Sequence, residues 1–132
     1  MPVNTGVEWV QFWGRRDKQV VGTLKIEASG NIPNNDSRTP YDWSVHLTVP
    51  RGGLVEFTNQ FDFVAPDSGY RQSVEIHMDK DQPGWSDSMN KSYFVKLRNG
   101  YLRMNIQMKA RTPFFTSLEF FYNPDGSRNL AP

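Results

Sequence analysis

Apolar and polar positions alternate with a period of two through most of the chain, most cleanly from Tyr41 to Val49. Tyr41, Trp43, Val45, Leu47 and Val49 fall on one side, and Asp42, Ser44, His46 and Thr48 on the other. Successive side chains of a strand point to opposite faces of a sheet, so this pattern predicts a strand with one buried face. Val7 to Trp13 differs in being largely apolar on both sides, with Val7, Trp9, Gln11 and Trp13 opposite Glu8, Val10 and Phe12. That predicts a strand covered on two faces, or one whose outer face binds something. Gln19 to Ala28 forms the next strand, and Gly22 in its apolar phase predicts a bulge. Leu54 to Val64 reads as one long strand bent at Asn59, with Glu56, Thr58, Gln60 and Asp62 on its polar face. Ser73 to Met78 is a short strand, and Phe114 to Tyr122 is apolar in both phases.

Tyr93 to Met108 is the most strongly specified stretch. Asn99-Gly100 suits a two-residue type I′ turn, because both positions tolerate φ > 0. A turn there predicts Leu97 opposite Leu102, Val95 opposite Met104 and Tyr93 opposite Ile106, stacking three apolar pairs on one face. The other face carries Phe94, Lys96, Arg98, Tyr101, Arg103 and Asn105. Polar, Gly- and Pro-rich segments separate the strands: a turn at Gly14-Arg15-Arg16-Asp17, loops over Ser29 to Pro40, Ala65 to Gln72 and Asp79 to Lys91, and turns at Pro50-Arg51-Gly52-Gly53 and Asn123-Pro124-Asp125-Gly126. The chain is expected to fray at Leu130-Ala131-Pro132, and at most a helical turn or two is expected near Ser86 to Asn90. About eight short strands in 132 residues predict an all-β, single-domain antiparallel β-sandwich, jelly-roll or Ig-like.

Composition narrows the functional classes. A formal net charge of +1 with scattered basic residues argues against nucleic acid as a partner. The lack of cysteine excludes disulfides, thiolate metal sites and a cysteine nucleophile. No apolar run approaches the roughly 20 residues of a membrane span. The N-terminus shows no signal peptide, so the expectation is a mature domain or a piece of a larger multidomain chain.

Four tryptophans are many for a domain of this size. Trp85 lies in a polar loop and Trp13 ends a strand against Gly14, positions that predict outward-standing rings; Tyr70 in the Asp67-Ser68-Gly69 turn has the same character. An exposed ring beside amide, carboxylate and guanidinium groups is the equipment for sugar binding: the C–H face of a pyranose stacks on it while the hydroxyls meet planar polar partners. The candidate stacking residues are therefore Trp13, Tyr70 and Trp85, with Gln60, Asp67 and Arg71 as hydrogen-bonding partners. The opposing expectation is that Trp85 folds back to cap the sandwich.

Asp79, Asp81 and Asp87 around Gly84 suggest a structural calcium loop, without the spacing of an EF-hand. His46 and His77 would ligate a metal or haem together only on adjacent strands. Glu56 and Asp62 stand about 20 Å apart along an extended strand, too far for the carboxylate pair of a glycosidase. No cysteine or G-x-S-x-G nucleophile is present, so no enzyme is expected.

The stretch from Tyr93-Phe94-Val95-Lys96-Leu97-Arg98-Asn99-Gly100 through Tyr122-Asn123-Pro124-Asp125-Gly126-Ser127-Arg128-Asn129-Leu130 resembles the tails of secreted all-β accessory domains of polysaccharide-degrading bacteria. It is also similar to the tail of haem-scavenging lipoproteins of the Bacteroidetes type, though no haem-ligand motif of that family carries over. The resemblance implies an extracellular or cell-surface location. The expectation is a non-catalytic carbohydrate-binding module of a secreted or cell-surface bacterial protein, with a polysaccharide or oligosaccharide as partner. The alternative is a structural Ig-like spacer or protein-interaction domain without a small-molecule ligand.

Overall fold

The computed structural model describes residues 4–14, 19–32, 39–111 and 114–131. These residues form no helix and eight strands: β1 (Asn4–Trp13), β2 (Val20–Gly30), β3 (Trp43–Thr48), β4 (Gly53–Phe57), β5 (Ser73–Met78), β6 (Ser88–Leu97), β7 (Gly100–Lys109) and β8 (Phe115–Tyr122). Sheet I has the order β1-β2-β3-β5 and sheet II the order β4-β6-β7-β8, all pairs antiparallel. The chain crosses between sheets on entering β4, β5 and β6. The predicted β-sandwich is the fold observed. Residues 15–17 of the first expected turn and 33–38 of the first long loop lie outside the described residues.

Between the sheets, alternation converts directly into burial. Sheet I contributes Phe12, Leu24, Ile26, Trp43, Val45 and Leu47, and sheet II contributes Tyr93, Val95, Leu97, Leu102, Met104 and Ile106, all buried. Removing that apolar surface from water is the main stabilising term, at roughly 25 cal/mol per Å². The bulge expected at Gly22 is present. Phe12 pairs with Gly22 but Trp13 pairs with Val20, leaving Val21 as the extra residue. A Cβ on Gly22 would lie 2.4 Å from Leu97 Cδ2, so the gap in the apolar phase is the space that Leu97 fills.

The β6–β7 hairpin turns at Arg98-Asn99, with Leu97 opposite Gly100, rather than at Asn99-Gly100. Val95 therefore faces Leu102 and Tyr93 faces Met104. The displacement is two residues, so every side chain keeps its predicted face. None of Arg98, Asn99 and Gly100 has positive φ, so the turn is not of the primed type. Gly100 is instead a point of close approach: a Cβ at this position would sit 3.2 Å from the Tyr122 ring and 3.3 Å from Gly126 Cα.

Three further expectations are corrected. β4 stops at Phe57, and residues 58–72 leave the sheet to cross its outer face, so Thr58, Gln60 and Asp62 do not extend a strand. β6 begins at Ser88, inside the expected loop. Leu130 does not fray: its N–H donates to Phe63 O at 2.7 Å and the side chain is buried. The first and the last of these have one physical cause. Phe94 points to the outer face of sheet II, and Ala65, Leu130, Val55, Phe57, Tyr70 and Tyr101 close over it as a second small core. Val64 bridges Asn129, and Ala65 N–H donates to Arg128 O, pinning the tail to the crossing segment.

Candidate functional site

Among the described residues, two surfaces carry an aromatic side chain about half or more exposed beside polar groups. The first is the outer face of sheet I at its β1 edge. Alternation directs Phe12 and Val10 inward, which leaves Val7, Trp9, Gln11 and Trp13 outward. Trp9 is 58 % and Trp13 49 % exposed, and the Cα atoms of the two are about 13 Å apart along the strand. The bulge places Val20 opposite Trp13, extending the apolar row onto β2. Lys25 pairs with Trp9 across the ladder; its ammonium lies 5.3 Å from the indole centroid and 3.5 Å from Glu27. A groove of about 470 Å³ continues from Trp9 over Val20, Val21 and Thr23 to Arg51 and Arg98, which sit in the β3–β4 and β6–β7 turns. Among the described residues neither of these guanidiniums has a hydrogen bond or an ion pair.

The second surface is an open cleft of about 750 Å³ on the outer face of sheet II. Phe61 stands 74 % exposed on its rim, and Gln60, Asn90, Ser92, Arg103 and Asn105 contribute to its walls. Most of these polar groups already bond one another. Asn105 Nδ2 donates to Asn90 Oδ1 at 2.9 Å and to Ser92 Oγ at 3.0 Å. Arg103 is held between Phe57 and Phe63, 4.6 and 4.8 Å from their centroids, and donates to Gln60 O at 2.6 Å and Asp62 O at 3.1 Å. Glu56, the one carboxylate among the described residues lining the cleft, pairs with Lys91 at 3.3 Å.

The structure does not gather the residues singled out from sequence into one site. Trp13 stands outward on β1 and Gln60 lines the sheet II cleft. Trp85 turns inward, contrary to the outward ring expected: its Nε1–H donates to Tyr41 O at 2.8 Å, and its ring meets Tyr41 edge-on at 5.1 Å. The polar residues around it in sequence hid a core neighbour that lies 44 positions away. Trp85, Tyr41 and Trp43, whose Nε1–H donates to Ser86 O, close one end of the sandwich, so the capping alternative describes Trp85. Tyr70 is likewise half-buried, not free; its hydroxyl donates to Pro66 O at 2.8 Å, and burial raises its pKa. Asp67 and Arg71 are exposed, and the Arg71 backbone bridges Leu54.

The three aspartates of the suggested calcium loop do not converge. Asp79 accepts from Asp81 N–H within a turn, whereas Asp87 accepts from Arg111 Nε at 2.6 Å. Burial disfavours the charged form of Asp87, but hydrogen bonds from Ser88 and Arg111, with the charges of Arg111 and Lys109, outweigh it and hold the carboxyl below its ordinary value. His46 and His77 do occupy adjacent strands, yet His46 faces Glu75 at 3.3 Å and His77 pairs with Ser44. Among the described residues no group of three His, Asp or Glu is placed to hold a metal.

Sequence reasoning missed Trp9, Arg51 and Arg98. Trp9 shares the phase of Trp13 and was visible in the alternation; nothing local distinguishes the two arginines, which the fold brings to one groove from turns 47 positions apart. Compared with protein-family models, with curated proteins and with solved structures, the chain matches none.

Proposed function

We propose that the chain is a non-catalytic carbohydrate-binding module of a secreted or cell-surface bacterial protein, and that it binds sugar on the outer face of β1. The observation that carries this reading is the partition of the four tryptophans: Trp43 and Trp85 pack into the sandwich, while Trp9 and Trp13 stand in a row on one flat strand face. Indole rings held by a rigid sheet offer stacking area with little rotamer entropy left to lose. The sheet I groove is favoured over the sheet II cleft because its arginines are unpaired among the described residues, whereas the polar groups of the cleft bond one another.

Retention of the chain on a panel of immobilised polysaccharides tests this. Wild type is expected to be retained by at least one polymer, and Trp9→Ala/Trp13→Ala to elute unretarded with an unchanged melting temperature. Retention that survives the double substitution contradicts the proposal. A second reading, docking of a protein strand, is favoured by one observation: β1 is a ten-residue edge strand, paired on one side only among the described residues and largely apolar on its outer face. Silence across the glycan panel together with concentration-dependent self-association would support it.

A further inference from the structure

We infer that the groove beside Trp9 selects an anionic glycan, whose carboxylate or sulfate groups are held by Arg51 and Arg98. This rests on the carbohydrate reading above and adds to it the charge class of the polymer. Among the described residues the groove lining contains no Asp or Glu. Arg103, Arg111 and Arg128 each donate to an oxygen of the chain, whereas the guanidiniums of Arg71, Arg51 and Arg98 have no such partner among the described residues, and of these three the groove is lined by Arg51 and Arg98. Each therefore presents a free planar fork of donors that matches two oxygens of a carboxylate or sulfate. Lys25 is tied to Glu27, so charge selection falls on the two arginines.

The backbone supplies an independent observation. Arg51 adopts φ +63°, the one positive φ at a non-glycine position among the described residues, directly before Gly52-Gly53. Glycine would occupy that conformation without strain, and strain retained at a residue that lines a groove points to a use for its side chain. A pyranose bearing an acid group would lay its C–H face on Trp9 and turn its acid group along the groove toward Arg51 and Arg98.

The test is isothermal titration calorimetry of the chain with oligogalacturonate, a sulfated dextran, unmodified dextran and a cello-oligosaccharide, each at low and high salt. The expected result is binding to the carboxylated or the sulfated polymer, weakening as salt rises. Arg51→Gly/Arg98→Ser should reduce that affinity about tenfold or more without lowering the melting temperature. Trp9→Ala should reduce it as well. Binding of a neutral polymer that needs Trp9 but ignores the arginine substitutions would overturn the anionic assignment and leave the carbohydrate reading standing. Binding to the anionic polymers that ignores both sets of substitutions would also overturn it, as charge attraction alone. Failure to bind any polymer would overturn both.

Discussion

Arg51 and Asp87 show how single residues here are set by opposing effects. A left-handed arginine costs about 1–2 kcal/mol relative to an ordinary conformation, against a smaller entropic cost for glycine. Arg51→Gly is therefore expected to stabilise the fold by about 0.5–1 kcal/mol in urea denaturation; a loss of stability would mean that the arginine has a structural role. For Asp87 the folded pKa lies below the ordinary 3.8, so its stabilising contribution is complete at neutral pH and is lost as pH falls through the folded value. Asp87→Asn should cost about 1 kcal/mol at pH 7, and the gap from wild type should close as the pH is brought below 3.8. A gap independent of pH would separate the stability effect from the Arg111 pair. The sequence marked Trp13 correctly as outward from its place at the end of a strand against Gly14. It misplaced Trp85 and Tyr70 because loop side chains take their environment from residues, Tyr41 and Pro66, that no periodic pattern reveals.

At the scale of elements, periodicity carried most of the information. From Tyr93 to Met108 the two faces of the β6–β7 hairpin were legible, since a buried face tolerates no odd shift in register. The turn was misread because Gly100 has two possible uses, positive φ or close approach, and the approach of Tyr122 and Gly126 is invisible before the tail is placed. The same blindness hid the second core. Phe94 looked like an outward residue among Lys96, Arg98 and Arg103 until residues 58–72 and the tail covered it. Leu130 is the tail's anchor, so Leu130→Ala should destabilise the fold by about 2–4 kcal/mol in chemical denaturation, far more than truncation of a frayed end. A change under about 0.5 kcal/mol would show that the tail does not close the second core.

For the molecule as a whole, the sandwich separates support from display. One end is shut by Tyr41, Trp43 and Trp85, while the outer face of sheet II is covered in part by the chain's own crossing segment. The β1 edge of sheet I keeps a row of apolar side chains in water beside two arginines unpaired among the described residues, an arrangement that burial alone does not explain. The most direct measurement follows the four indole N–H resonances of the ¹⁵N-labelled chain during titration with a retained polysaccharide. Trp9 and Trp13 are predicted to shift, and Trp43 and Trp85, whose N–H groups are held by Ser86 O and Tyr41 O, to stay in place. Movement confined to Trp43 or Trp85, with Trp9 and Trp13 unchanged at saturation, would contradict the assignment of the binding face.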